Sequence, residues 1–540
     1  MISGAQIMVK CLQEENVEVA FGYPGAVICP FYDELYRTNI RHVLVRQEQH
    51  AAHEASGYAR SSGKVGVCIV TSGPGATNLI TGLATAYMDS IPLVAISGQV
   101  NSELLGRDVF QEADVTGACE SFTKHSYLVK NAADLPRVFK EAFAIASTGR
   151  PGPVLIDVPV DVQQSMVEGE FSYPAVADIV GYKPRTEGNG LQIKRAMAAI
   201  KEAKRPLICC GGGVVLAGAR EEMKAFARKT GIPIVATMMG IGVIPMDTPQ
   251  YLGMIGSHGR VYANRAMRES DLIILCGARV GDRAVSAPEQ VAQNTRIIHI
   301  DIDPAEIGKN IRVDIPIVGD IRQVLARFAE KAEPLDIADW RETVIGYKNA
   351  YVPTGEDRED CVEPRALIRA LSRMMDENAI LVADVGQNQI WAARNFNVKE
   401  GRFLTSGGLG TMGYALPAAI GAKIAKPYRQ VVAICGDGAF QMSMMELATA
   451  CQQKIPVKLV LMDNSRLGMV KELQDKLYGS RYEATLLDGN PDFVALCRAY
   501  GIKTVRAENN RQAEAYAKEM LESEEAYVLV CRVDPDTPTI

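Results

Sequence analysis

Short runs of aliphatic and β-branched residues alternate along this chain with alanine-rich amphipathic stretches, and that alternation constrains the fold more than any other feature. Strands alternating with helices pair in parallel and take helices on both faces of the sheet. Predicted buried strands are His42–Val45, Val65–Thr71, Leu93–Ser97, Val154–Val158, Pro206–Cys210, Leu272–Cys276, Ile297–Ile302, Val431–Cys435 and Val457–Met462. Two polar stretches broken by Pro and Gly, about 166–190 and about 331–364, read as linkers. They divide the 540 residues into 1–165, 190–330 and 365–540. The expected class is α/β, with three doubly wound parallel-sheet domains. Val67–Asn78 and Val431–Met442 share one layout: apolar strand, glycine turn, helix. Any doubly wound sheet produces such units, and so would two related domains facing each other.

Charge and cysteine usage narrow the function classes. Basic residues number 58 and acidic ones 64, a net charge of −6, and no basic block stands out. Such a chain is a poor match for nucleic acid or an anionic membrane. The start, MISGAQIMVKCLQEEN, lacks the basic and apolar segments of a secretion signal. The uncharged stretch Val65–Met88 is long enough to span a bilayer. It contains Ser72-Gly73-Pro74-Gly75, however, and reads as strand, turn and helix. The 12 cysteines form no CxxC pair and read as reduced core residues of a cytoplasmic protein.

The sharpest local signal is Gly436-Asp437-Gly438 at the end of a buried strand, followed 26 residues after Asp437 by Asp463-Asn464 at the end of another. Adjacent parallel strands joined by one helix bring both turns to the carboxyl edge of the sheet, where open α/β sheets bind ligands. Asp437 then offers a carboxylate and Asn464 an amide oxygen to a hard cation such as Mg²⁺, which shares its oxygens with phosphate. Gly438 lets the backbone approach an anion at the start of a helix beginning near Ala439. Gly408-x-Gly410-x-x-Gly413 spells a dinucleotide fingerprint, but a lone match is weak and its only nearby acid is Asp437. Gly211-Gly212-Gly213 is likewise weak alone. The six histidines show no metal-ligand spacing. Glu48 follows one strand and precedes the helical stretch QHAAHEASGYARS. Alone, it reads as an acid complementing a helix dipole.

These motifs resemble the thiamine diphosphate-binding pattern, GDG followed by two asparagines, with Asp463 replacing the first. VRQEQHAAHEASGYARSSGKVGVCIVTSGPGATN, FGYPGAVICPFYDEL, RDVFQEADV, GRPGPVLIDVPVDV, HIDIDPAEIGKN and TSGGLGTMGYALPAAIGA resemble the acetolactate (acetohydroxyacid) synthase catalytic subunits. GARVGDR, NSRLGMVKELQ and RYEATLLDGNPDFVALCRAYG extend the likeness over nearly the whole chain. The resemblance implies a pyrimidine domain, a Rossmann-like middle domain and a diphosphate domain. It implies condensation of pyruvate with pyruvate or 2-oxobutanoate, releasing carbon dioxide, on the route to branched-chain amino acids. The two ends of the cofactor would be held by different subunits of a homodimer or homotetramer. Whether a small regulatory subunit joins is left open.

By position, Glu48 is expected to activate the pyrimidine, and Asp437, Asn464 and the Arg466 carbonyl to hold Mg²⁺. Gln387, Asn388, Gly438 and Ala439 would receive the diphosphate, with Gly410 and Met469 beside them. Met412 would wedge the cofactor into its folded shape; by itself it reads as a flexible core filler. Gln99, Phe110, Gln111 and Leu473 would line the reaction pocket. Arg283 would grip the carboxylate of the second oxo acid, a task suited to a guanidinium fork. FAD would contact Arg150, Gly211, Gly213, His258, Arg279, Asp301, Ile302 and Asp320. The chain departs from the family at Ala26 (usually Gly), Asn101 (Pro), Val160 (Lys), Gly281 (Asp), Asn388 (His) and Leu473 (Trp). The alternatives are another carboligase or 2-oxo acid decarboxylase of this architecture, or a non-catalytic subunit.

Overall fold

The computed structural model describes residues 1–351 and 359–540. It contains three six-stranded sheets, each wholly parallel, and a two-stranded antiparallel pair, Ile2–Ser3 with Met166–Val167. All nine predicted strands are present, with ends shifted by at most two residues. The first sheet runs, edge to edge, Arg41–Leu44, Val19–Tyr23, Gly66–Val70, Leu93–Gln99, Pro153–Pro159 and His125–Leu128. The third runs Arg402–Leu404, Ile380–Ala383, Val431–Gly436, Lys458–Asp463, Tyr527–Arg532 and Lys503–Ala507. Counted along the chain, both have the order 2-1-3-4-6-5. This favours the reading of two related units. The middle sheet instead has the order 3-2-1-4-5-6, as in dinucleotide-binding folds. It runs Tyr251–Met254, Ile234–Ala236, Pro206–Cys210, Leu272–Cys276, Arg296–Asp301 and Ile315–Val318.

The central strands read as continuous apolar runs because helices cover both faces. The stretch 166–190 lies over the first unit, packing Phe171, Tyr173 and Tyr182 against its core. The stretch 331–364 corrects a simple linker reading. Within it Ala338–Asn349 is a helix that buries Trp340 and Val344 in the middle core, and Trp340 Nε1 donates to Pro206 O at 2.9 Å. Residues 352–358 of that stretch lie outside the described residues. All 12 cysteines are free thiols, and no helix among the described residues is long and apolar enough to cross a membrane.

The first and third units meet through two helices, Glu48–Ser62 and Ala415–Ala425. They cross so closely that a Cβ on Gly57 would lie 2.0 Å from Ala418 O, and one on Gly421 1.9 Å from Glu54 O. Beside this crossing the buried Glu446 accepts from Arg46 N at 2.9 Å and His50 Nδ1 at 2.8 Å. The Thr449 hydroxyl reaches both Glu446 Oε2 and Leu44 O. Burial, reinforced by Glu446, raises the Glu54 carboxyl well above the usual range. Burial, then the neighbouring His50, lowers the His53 imidazole to about 3. A residue in the third sheet unit therefore grips both flanks of the turn that leads into Glu48.

Candidate active site

Gly436 pairs with Met462 across neighbouring parallel strands, so Asp437 and Asn464 sit just beyond paired strand ends. Two short helices, Asp437–Gln441 and Glu446–Gln452, join those strands where one was expected. Asp437 is 1% exposed, and burial, then Asp463, pushes its carboxyl up to about 6 against the opposing bond from Asn490. Its Oδ2 accepts from Asn490 Nδ2 at 2.7 Å and its Oδ1 from Gly438 N at 3.0 Å. Asn464 donates to Gln387 Oε1 at 3.0 Å, while its own Oδ1 accepts from Arg466 N at 3.2 Å. Gln387 in turn donates to Glu472 Oε1 and Thr537 O. Carboxylate, amide and carbonyl oxygens at one strand edge are a hard-oxygen donor set, which fits Mg²⁺ sharing its shell with phosphate.

Asn388 is engaged within the fold. Its Nδ2 donates to Asp384 O at 2.7 Å and to Ile434 O at 3.2 Å, which uses both amide hydrogens. It braces two strand ends and, like Gln387, has both amide hydrogens engaged within the protein.

Met412 is half-buried on the loop between Leu404 and Ala415, and its Cε approaches within 3.6 Å of the place a Cβ on Gly438 would occupy. The loop is held on both sides. Asp89 Oδ1 accepts from Gly408 N at 2.7 Å, and the Thr85 and Thr411 hydroxyls meet at 2.7 Å. On the other side the buried Asp384 accepts from Gly413 N and Ala415 N. Gly410 has a φ of +75° with open space at its Cβ position. Met469 is half-buried, and Leu473, 49% exposed, lies on the same helix, Gly468–Tyr478.

Glu48 is the first residue of its helix, half-buried, with Oε2 accepting from Asn78 Nδ2 at 3.0 Å. Its Oε1 lies 3.4 Å from the Cβ position of Gly75, so the glycine turn leaves that oxygen room. Gly73, at φ +59°, faces Gln111, whose Cα would stand 2.9 Å from a Cβ there. The structure thus brings Glu48, the SGPG turn and Gln111 to one strand edge. Phe110, beside them, is 87% exposed. Gln99 departs from its expected place in the pocket: it is buried, donating to Ala113 O and Asp157 Oδ2 and accepting from Val100 N.

In the middle unit the strand ends after Cys210 and Cys276 touch. Gly211 has no room for a side chain, since a Cβ would lie 2.0 Å from Gly277 O, and Gly213 N donates to that same oxygen at 3.1 Å. Those strands are adjacent where the order reverses, the crevice in which such sheets take nucleotides. Arg279 is half-buried just beyond. Asp301 ends the next strand, with Ile302 just beyond it, and burial raises the Asp301 carboxyl to about 6. Arg150 spans two units, donating to Ser90 Oγ at 2.9 Å and pairing with Glu306 at 2.8 Å. Asp320 caps the helix Ile321–Lys331 through Arg322 N and Gln323 N. The Arg283 side chain is 83% exposed and 3.6 Å from Asp282, while its carbonyl accepts from Ser257 N at 3.0 Å. This places it beside His258, whose ring is shifted down by burial and then by Arg283.

Asn78, Asp384, Glu446, Glu472 and Asn490 also serve these arrangements and were not singled out by sequence reasoning. Asn78 and Asn490 lie inside quoted motifs, but neither adjoins the residue it orients.

The chain matches the thiamine pyrophosphate enzyme family over its N-terminal TPP-binding domain (residues 2–118), central domain (193–328) and C-terminal TPP-binding domain (384–531). It is 46% identical over 545 residues to the "Probable acetolactate synthase large subunit" of Methanocaldococcus jannaschii, covering 99% of this chain and 92% of that protein. It is 48% identical to the "Acetolactate synthase large subunit" of Corynebacterium glutamicum over 94% of this chain and 82% of that protein. With the large subunit of Haemophilus influenzae the identity is 42% over 98% and 94%. Asp437, Asn464 and Glu48 therefore sit in a chain that belongs to the acetolactate synthase large subunits of the thiamine pyrophosphate enzyme family.

Proposed function

We propose that this protein condenses pyruvate with a second pyruvate, or with 2-oxobutanoate, giving 2-acetolactate or 2-aceto-2-hydroxybutanoate and carbon dioxide. The observation that carries the reading is the placement of Asp437 and Asn464 on neighbouring strand ends, with Gln387 and Asn490 fixing both side chains. Thiamine diphosphate, when bound, supplies a nucleophilic C2 that adds to a 2-oxo carbon and takes up the electrons left by carbon dioxide. Asp437, Asn464 and the Arg466 carbonyl would hold Mg²⁺ against the diphosphate, with the backbone at Gly438 and Ala439 close by. Glu48 would hold a proton at the pyrimidine N1′ through Oε1, since Oε2 is engaged by Asn78. That bond would favour the imino tautomer of the pyrimidine, the form whose exocyclic nitrogen can act as a base. Met412 would press on the folded cofactor from the Gly438 side. Arg283, exposed beside His258, would receive the acceptor carboxylate, and Gln111 and Phe110 would face the reacting carbons.

The middle unit would hold FAD. Its strand order, the closed contact of Gly211 with Gly277 and the acid at the end of Arg296–Asp301 support this. Gly281 meets nothing within 4 Å, so the absent family aspartate leaves an open edge there rather than a collapsed one. A cytoplasmic homodimer or homotetramer is the proposed state. The apolar side chains left exposed near the two half-sites, Phe110, Leu473 and Leu477, support burial by a second copy. Purified protein should show a flavin spectrum and form acetolactate from pyruvate, with activity lost when thiamine diphosphate or Mg²⁺ is omitted. Carbon dioxide release yielding only acetaldehyde would replace this reading with a simple decarboxylase.

A further inference from the structure

Asp384 is fully buried at the end of the strand Ile380–Ala383. Its Oδ1 accepts from Val385 N at 2.8 Å and Gly413 N at 3.0 Å, and its Oδ2 from Ala415 N at 2.8 Å. Its own carbonyl accepts from Asn388 Nδ2 at 2.7 Å. One residue therefore ties together a strand end, the helix Gln387–Asn395 and both sides of the turn after Met412. A buried carboxylate is costly unless hydrogen-bonded. Among side chains of this size it alone offers two acceptor oxygens to three converging amides, where asparagine would turn a donor toward one of them. Methionine has three rotatable bonds and adapts to its surroundings, so a methionine can press at a defined height only if its backbone is fixed.

Resting on the reading of Met412 as the wedge, we propose that Asp384 is a positioning residue for the cofactor: its carboxylate sets the height of Met412 by holding the Gly413 and Ala415 amides. Asp89 and Thr85 of the first unit steady the far side of the same loop. Asp384 holds the backbone amides of Gly413 and Ala415, which follow the wedge, while Ser56 and Arg60 hold only the side-chain hydroxyl of Tyr414 between them.

The test compares the unaltered chain with Asp384→Asn and the smaller Asp384→Ser. In cofactor-free protein, deuterium uptake should rise over residues 408–416 while the strand Val431–Gly436 stays protected. In enzyme loaded with thiamine diphosphate, Mg²⁺ and FAD, exchange of the C2 proton per bound cofactor should slow about tenfold or more, and kcat should fall further than KM for pyruvate changes. In a Met412→Ala background, Asp384→Asn should add less than about threefold, because the two act through one contact. Unchanged local uptake, an unchanged C2 exchange rate, or full additivity with Met412→Ala would overturn the proposal. So would failure of both variants to fold, which would make Asp384 a general folding residue. If the unaltered chain itself exchanges the C2 proton no faster than free cofactor, the functional reading falls. If only the variants match the unaltered chain, the role of Asp384 alone falls.

Discussion

His50 Nδ1 lies 2.8 Å from Glu446 Oε1, and neither side chain reaches solvent. The bond joins the helix that begins at Glu48 to a helix of the third unit. Glu446→Ala would strand Arg46 N and His50 Nδ1 inside the interface, while the Thr449 hydroxyl keeps its bond to Leu44 O. Leaving buried polar groups unpaired costs about 1–3 kcal/mol each at most, and removing one partner of a buried pair about 3–5. The expected loss is about 3 kcal/mol in urea denaturation, with Glu446→Gln losing clearly less. Equal midpoints for all three proteins would show that the interface does not depend on this carboxylate.

Acid should loosen the same interface through His53. Its ring is lowered to about 3 in the fold, by burial and then by His50, against about 6.5 when unfolded. The folded state thus favours the neutral ring. That stabilisation is fully present above about pH 6.5 and is lost as pH falls toward 3. The slope from this one group is about 1.4 kcal/mol per pH unit. Between pH 6.5 and 5, His53→Gln should lose stability less steeply than the unaltered chain. Parallel slopes would mean that His53 charges freely in the folded protein.

The close helix crossing tolerates no side chain at Gly421. A methyl there would meet Glu54 O at 1.9 Å, a backbone atom that cannot rotate away. Gly421→Ala should cost about 1–3 kcal/mol in overpacking. Gly281→Ala, in open space, should stay within about 0.5 kcal/mol. Thermal melts of the pair decide this, and a neutral Gly421→Ala would show that the helices can slide apart cheaply.

Glu48→Gln should reduce kcat about 100-fold or more, because the neutral amide cannot hold the pyrimidine N1′ proton. Thiamine diphosphate affinity, measured by titration calorimetry, should fall much less, since the charged tail is held by other residues. Full turnover in this variant would remove the activating role from Glu48.

Much of this architecture was legible because its determinants are local. The strand ends at Gly436 and Asp463 are announced by apolar runs closing on a turn, and parallel pairing then brings Asp437 and Asn464 together. What escaped depends on partners far along the chain. Asp384 serves amides 29 and 31 positions away, and Asn490 meets Asp437 across 53. The bonds that engage Asn388 and Gln99 were equally hidden: an amide looks free until the oxygens that occupy it are brought alongside. The helix Ala338–Asn349 was hidden by its polar, Pro-flanked setting, although Trp340 and Val344 stand at helical spacing.

The shared winding of the outer sheets makes them one scaffold with two sets of equipment. The turn after Gly66–Val70, with its SGPG, is the counterpart of the turn after Val431–Gly436, with its GDG. The segment leading from Arg41–Leu44 to Glu48 corresponds to that leading from Arg402–Leu404 to Met412. Ancestral duplication would account for such matched rims. Later divergence then needed to change only a few positions on equivalent loops, turning one copy toward the ring of a small molecule and the other toward its charge.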